Sequence, residues 1–387
     1  MVASRWRIHA GGAAVTMRVL LDLRPLRPPL SGVARYCLNL TNALARSGGL
    51  EVHGLVQGDD GSLERLASKV VEERRFEPWV PRVAQNLVLD LLPTARRAWR
   101  ISDFDLIHET YSARLAPCGR PPLVATIHDV IPIDAPEFYS SRIAWSVRRN
   151  LGRQVADAAA VICVSAYTRD RVLALTGCDP DKVHVVGCGV DEEEASQPDA
   201  WPAGVALHPE DDFCLVLGNV EDRKNLGLVL RAWPFVRRRH PRLKLVVAGG
   251  VNFRTRLTAQ VESPPEGVVF LGSVTDAEKW TLLRRARMLL FPSLFEGFGI
   301  PALEAYYARC SVLMSRRSAL AELIFDERQG FDPLSTDDFM KRWLDALDAP
   351  TWLEDATAEA HRWAQTRTWS AVASDVKAIY SKVCSHG

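Results

Sequence analysis

No Cys-x-x-Cys pair and no cluster of histidines occurs in this chain, although it holds eight cysteines, at Cys37, Cys118, Cys163, Cys178, Cys188, Cys214, Cys310 and Cys384. Scattered thiols of this kind indicate neither a zinc site nor a disulfide framework, and they suit a reducing compartment. No apolar run approaches the ~20 residues that span a bilayer, and residues 1–16 lack the apolar centre of a secretory leader. A cytoplasmic protein is expected, with residues 1–16 read as a disordered tail or an upstream start. A concentrated basic face is also missing: the formal net charge is +1, which gives no reason to expect a nucleic-acid partner. The small total hides an asymmetry. Residues 1–190 carry 24 Lys and Arg against 19 Asp and Glu (net +5), leaving 24 against 28 (net −4) for the remainder. A basic first half suits an anionic acceptor or membrane surface.

With 387 residues, 47% of them hydrophobic and 25% charged, the chain exceeds the ~250 residues at which single cores stop growing, so two domains are expected. Apolar runs alternate with helical stretches: "RVLLDL" at 18–23, "VHGLVQ" at 52–57, "PLVATIHD" at 122–129, "AAVICVS" at 159–165 and "KVHVVGCGVD" at 182–191. The pattern restarts with "FCLVLGN" at 213–219, "RLKLVVAGG" at 242–250, "GVVFLG" at 267–272 and "ARMLLFPS" at 286–293. Near-continuous apolar strands separated by helices indicate parallel sheets built from βα units. The intervening 192–212, rich in Pro, Ala and acids, reads as a linker. The expected fold is α/β: two doubly wound halves, 17–191 and 213–365, facing across a cleft, with 366–387 a closing segment.

The stretch "SLFEGFGIPALEA" at 293–305 follows a strand and opens a helix. Gly297 and Gly299 permit conformations closed to larger residues, and Pro301 suits a first helical turn. The helix N-terminus suits an anion such as a diphosphate. Glu296 on the loop and Glu304 in the first turn would address different parts of one ligand. An ordinary strand-turn-helix with an acidic start has the same signature.

"FEGFGIPALEA" resembles the E-x7-E motif of the retaining glycosyltransferases of family four, nucleotide-sugar enzymes with the two-Rossmann GT-B fold. The resemblance runs in order over nearly the whole chain from Met17. It implies that Glu296 lies against the donor sugar and Glu304 against the ribose hydroxyls, with Gly297, Phe298, Gly299 and Ile300 in the donor loop. "GNVEDRKNLGLVLRAW" at 218–233 is similar to the family's cationic strand-end loop, which places Asn219, Arg223 and Lys224 at the diphosphate. "VATIHDVIPIDAPEFY" at 124–139 is similar to the segment whose histidine lies near the anomeric carbon, here His128. "DLRPLRPPLSGVARYCLNLTNAL" at 22–44 resembles the Gly-rich first loop; Gly32 and Arg35 match, and Ala34 stands where a second glycine is common. Arg309 likewise replaces a usual glycine. His108, ending "FDLIH", is read with Arg35 as an acceptor-side group.

The resemblance implies a metal-independent, retaining transfer of a hexose to an acceptor hydroxyl, with no cofactor beyond the nucleoside diphosphate sugar. GDP-mannose ranks first because the opening and the Thr-Ile-His-Asp segment look most like bacterial mannosyltransferases of surface-polysaccharide assembly. The acceptor is expected to be a saccharide or a lipid-linked saccharide. Segment 79–100, with Trp79, Trp99, Arg82, Arg96, Arg97 and Arg100, suggests peripheral contact with an anionic membrane. A non-catalytic paralogue that binds a partner, or a nucleotide-sugar epimerase of the same architecture, is the alternative.

Overall fold

The computed structural model describes residues 16–26, 30–56, 66, 70, 72–75, 103–111, 121–251 and 255–385. Segment 79–100 and residues 1–15 lie outside these.

Two parallel sheets form the frame. The first has seven strands in the order β3-β2-β1-β4-β5-β6-β7: β1 Met17–Asp22, β2 Leu50–Val56, β3 Glu72–Arg75, β4 Leu106–Glu109, β5 Leu123–Ile127, β6 Ala160–Cys163 and β7 Val183–Val185. The second has six strands in the order β10-β9-β8-β11-β12-β13: β8 Phe213–Leu217, β9 Lys244–Ala248, β10 Val268–Gly272, β11 Met288–Phe291, β12 Val312–Ser315 and β13 Gly330–Phe331. Both wind outward from a central pair, β1/β4 and β8/β11, where the chain reverses its direction of travel across the sheet. Ligands of such sheets bind in the crevice outside the carboxyl ends of the strands at that reversal. The loops that follow β8 and β11 carry the Arg-Lys and E-x7-E stretches.

Burial explains the sequence pattern. Cys214, Leu215, Leu245, Val246, Leu289 and Leu290 are fully enclosed, because helices cover both faces of each sheet. Helices Leu226–Arg239 and Thr336–Asp348 stack Trp233 on Trp343 at 5.9 Å over one face of the second sheet. The other face shares a core with the first domain and with the closing helix Trp369–Ser385.

The stretch read as a linker is partly structured. Val190 N–H donates to the Arg367 carbonyl at 2.7 Å, so the outgoing and returning chains run side by side. A short helix, Glu192–Ala195, follows, capped by the Asp191 side chain. The closing helix returns to the first domain, where Tyr380 meets His108 and Lys377 reaches the carbonyls of Ser47 and Gly48.

Candidate active site

After β8 the chain makes a tight turn, Asp222–Lys224, ended by Asn225 at φ 55°. The Asn225 amide donates to the carbonyls of Pro292 (3.2 Å) and Pro333 (2.9 Å), which fixes this turn against the loop after β11. Arg223 and Lys224 are thereby aimed at one carboxylate: Lys224 Nζ lies 2.6 Å and Arg223 Nη1 3.1 Å from Glu296. Arg223 also donates to the Phe295 carbonyl and to Glu221, each at 2.6 Å. Burial alone would raise the Glu296 pKa, but the charges of Lys224 and Arg223 outweigh it and hold the carboxyl at about 2. Glu296 is therefore an ionised acceptor throughout the neutral range.

Gly299, at φ 115°, caps the helix Ile300–Tyr307; a side chain there would strike Leu320. Gly297 is one point where the two domains touch, since a Cβ would collide with the His128 carbonyl. Its own carbonyl accepts from Ser165 Oγ at 2.7 Å and Thr168 Oγ1 at 3.3 Å. Beside it, the Glu322 carboxylate of the second domain accepts from Ala166 N–H (3.0 Å) and Tyr167 N–H (2.6 Å) of the first. These N–H groups open the helix Ala166–Thr176, so a carboxylate from one domain caps a helix of the other. Phe298 and Ile300 are partly buried against the core that the domains share.

Glu304 has a separate setting. Its carboxylate is 2.6 Å from the buried Lys279 Nζ. Lys279 also lies 3.3 Å from Glu194 and 3.9 Å from Asp276. Arg35 of the first domain joins the same pair, at 2.6 Å from Asp276 and 3.2 Å from Glu194. Burial would lower the Lys279 pKa, but Glu304 and Glu194 reverse this and raise it. The second carboxylate of the motif thus ends a charge chain through both domains and the connecting segment.

His128 follows β5 next to Gly297. Its Nε2 donates to the Thr110 carbonyl at 2.8 Å, and its ring meets the edge of Tyr36 at 4.6 Å. Burial lowers its pKa to about 4, so the ring is neutral. Its carbonyl faces the motif loop while its ring turns to its own domain.

Two expectations require correction. His108 does not face the cleft: it is fully buried, with Nδ1 2.6 Å from the Tyr380 hydroxyl and Nε2 2.7 Å from Thr126 Oγ1. It anchors the closing helix. Arg35 is held by Asp276 and Glu194, so it bridges the domains and is not presented to an acceptor. Gly32 lies in the exposed first turn of the helix Gly32–Arg46, capped by Ser31, and a Cβ there would meet open space. Ala34 is fully buried in that turn, so a second glycine is unnecessary for packing. Asn219 is exposed at the end of β8. Asn225 and Lys279 were not singled out from sequence; an asparagine closing an Arg-Lys turn was the available signal for the first. Among the described residues no group of three or more His, Cys, Asp or Glu is placed to hold a metal ion.

Two facing parallel sheets of 3-2-1-4-5-6 order, the first extended by a seventh strand, with an Arg-Lys turn and an E-x7-E loop side by side at the crevice, define a GT-B glycosyltransferase. Residues 30–194 match Glycosyltransferase Family 4 and residues 199–363 match Glycosyl transferases group 1, and the chain belongs to this family. It is 26% identical over 373 residues to the O-antigen chain mannosyltransferase B of Escherichia coli, covering 91% of this chain and 96% of that protein. It is 24% identical over 348 residues to the MMP alpha-(1->4)-mannosyltransferase of Mycolicibacterium hassiacum, covering 80% and 78%. In fold it resembles sucrose-phosphate synthase from Thermosynechococcus elongatus, with a TM-score of 0.76 at 17% identity over 96% of this chain and all of that one. It also resembles HepE of Anabaena, solved with UDP and glucose, with a TM-score of 0.72 at 16% identity over 95% of this chain and all of that one.

Proposed function

We propose that this protein transfers a hexose from a nucleoside diphosphate sugar to an acceptor hydroxyl, with retention of configuration and without a metal, in polysaccharide or glycolipid assembly. Mannose from GDP-mannose is the first choice of donor, supported by the names of the relatives above. The observation that carries the reading is Glu296 held between Lys224 and Arg223 at the carboxyl ends of β8 and β11. A diphosphate entering beside this turn competes with Glu296 for the two cations. Two cations near a developing phosphate charge stabilise the departing group, a preorganised electrostatic contribution made where the charge appears. Released from one cation, Glu296 accepts hydrogen bonds from sugar hydroxyls. Because it stays ionised it orients the sugar and does not serve as an acid. The neutral His128 carries no charge to the anomeric region, and its carbonyl lies against the Gly297 loop. Glu304 receives the ribose. The acceptor attacks on the face the diphosphate leaves, and the departing phosphate takes its proton.

The test is a thermal-shift and calorimetry panel of GDP, UDP, ADP and dTDP, in EDTA and in Mg2+, followed by transfer with the matching sugar nucleotide. A ligand at 100 times its Kd stabilises the fold by about 2.7 kcal/mol. Binding of one nucleotide in EDTA and an α-linked product support the proposal. Failure of all four points to the non-catalytic paralogue.

Contact with an anionic membrane on the cytoplasmic side belongs to the same proposal. Its support is the helix Ser141–Asp157, which exposes Trp145 (62%) and Ile143 (44%) among Arg142, Arg148, Arg149 and Arg153. Among the described residues no helix is long and apolar enough to cross a membrane. Co-sedimentation with phosphatidylglycerol vesicles, absent with phosphatidylcholine alone, checks it.

A further inference from the structure

Lys279 stands where an ammonium group is costly to place. A capping box of Thr275 and Glu278 fixes the first turn of the helix Asp276–Arg285, and at the end of that turn Lys279 points inward with 7% of its surface exposed. Its Nζ meets carboxylates from three places: Glu304 of the motif helix at 2.6 Å, Glu194 of the connecting segment at 3.3 Å and Asp276 of its own turn at 3.9 Å. One ammonium does not serve three carboxylates equally, and a second cation decides between them. Arg35 of the first domain holds Asp276 at 2.6 Å and Glu194 at 3.2 Å. The two competitors are thereby occupied, and Lys279 is committed to Glu304.

Stability alone does not account for this lysine. Replacing a buried ion pair by apolar residues of like volume is often neutral or stabilising, because taking two charges out of water offsets their attraction. What the pair supplies is orientation. Lys279 donates to Oε1 of Glu304, and Oε2 takes no hydrogen bond from any described residue. One oxygen of the carboxylate is pinned, and the other is left as an acceptor in a fixed direction.

We infer that Lys279 is a positioning residue for sugar selection in the nucleotide: it fixes Glu304 so that the second oxygen accepts from a ribose hydroxyl, and Arg35 of the opposite domain sets how firmly. The inference rests on the reading of Glu304 as the group that receives the ribose. It makes the preference for a ribonucleotide over a deoxyribonucleotide depend on one cation from each domain, both acting through the same carboxylate.

The test is calorimetry of GDP, UDP and ADP beside their 2′-deoxy and 3′-deoxy forms, on the full-length protein. A hydrogen bond to a charged acceptor contributes roughly ten- to a hundredfold in affinity, so the wild type should prefer the ribonucleotide to at least one deoxy form by about tenfold or more. Lys279→Met should bring ribonucleotide affinity down to that of the deoxy form and leave deoxy affinity within about twofold, with KM raised and kcat within a few-fold. Lys279→Arg, which keeps the charge, should retain the preference. Arg35→Gln leaves Lys279 and Glu304 in place and should lower the preference part of the way; it carries the test where Lys279→Met fails to fold. An undiminished preference in Lys279→Met or in Arg35→Gln, or a loss shared equally by ribose and deoxy forms, overturns the inference. Wild-type protein that binds nucleotides without preferring ribose removes the reading of Glu304, and this inference with it. Protein that binds no nucleotide removes the transferase reading itself.

Discussion

The two carboxylates of one motif occupy opposite kinds of surroundings. Glu296 sits on a loop and is neutralised from within its own domain by Lys224 and Arg223. Glu304, eight residues later on the helix Ile300–Tyr307, is neutralised by Lys279, whose further contacts lead through Glu194 and Asp276 to Arg35 of the first domain. On the proposed reading the first arrangement gathers cations for a leaving group. The second ties its carboxylate to the relative position of the domains. A shared residue type and a short spacing do not imply a shared role.

The largest effect is expected at the first corner. Lys224→Ala or Glu296→Gln should lower turnover more than a hundredfold, about 3 kcal/mol of transition-state stabilisation, with the far-UV spectrum unchanged. Near-wild-type steady-state rates for Lys224→Ala would remove the proposed role of the cation. At the second corner Glu304→Ala should raise the nucleotide Kd about tenfold, close to 1.4 kcal/mol, and leave kcat within a few-fold. If calorimetry shows unchanged affinity and kcat collapses instead, the two carboxylates are not distinct.

Acid should act on the first corner and on His128 beside it. The unfolded chain takes up a proton on His128 near its ordinary value of 6.5, whereas in the fold this waits until about 4. The stability contributed is present above pH 6.5 and is lost as the pH falls towards 4, at up to about 1.4 kcal/mol per pH unit. Urea melts of wild type and His128→Asn should differ in that slope over pH 4–6.5. The lowered Glu296 pKa acts in the same direction at lower pH, from about 4.5 towards 2. The smallest effect concerns the end of the helix bearing Glu304. Arg309 holds φ 59° just past its C-cap Ala308, a conformation that costs most residues about 1–2 kcal/mol. Arg309→Gly, after the added freedom of the unfolded chain, should gain roughly 0.5–1 kcal/mol in a denaturant midpoint and leave both corners active.

What could be read from sequence followed from how local each signal is. Runs such as "FCLVLGN" and "ARMLLFPS" mark buried parallel strands, and the E-x7-E loop carries its own glycines and proline, so fold and first corner were legible together. His108 was misplaced because all four residues of β4 are buried. A strand covered on both faces gives no alternation from which to decide which face its last residue serves. Lys279 was missed because "DAEKWTLL" looks the same whether its lysine is solvated or turned inward to Glu304. Glu194 was absorbed into a polar segment for a similar reason: its partners, Arg35 and Lys279, are far away in sequence. Long-range charge pairs leave no periodic trace.

The return of the closing helix to the first domain sets an order of events during synthesis. Tyr36, Cys37, Leu40 and Leu44 of the first helix share a core with Val372, Val376, Ile379 and Tyr380. The strands of the first sheet are complete at Val185, and 385 − 185 leaves 200 residues still to be made before Ser385 emerges. At about 5–20 residues per second the nascent first domain waits roughly 10–40 s with that apolar face uncovered. The closing helix therefore acts as a completion signal: a chain cut short before Trp369 leaves the ribosome with a sticky surface and is a substrate for chaperones and proteases.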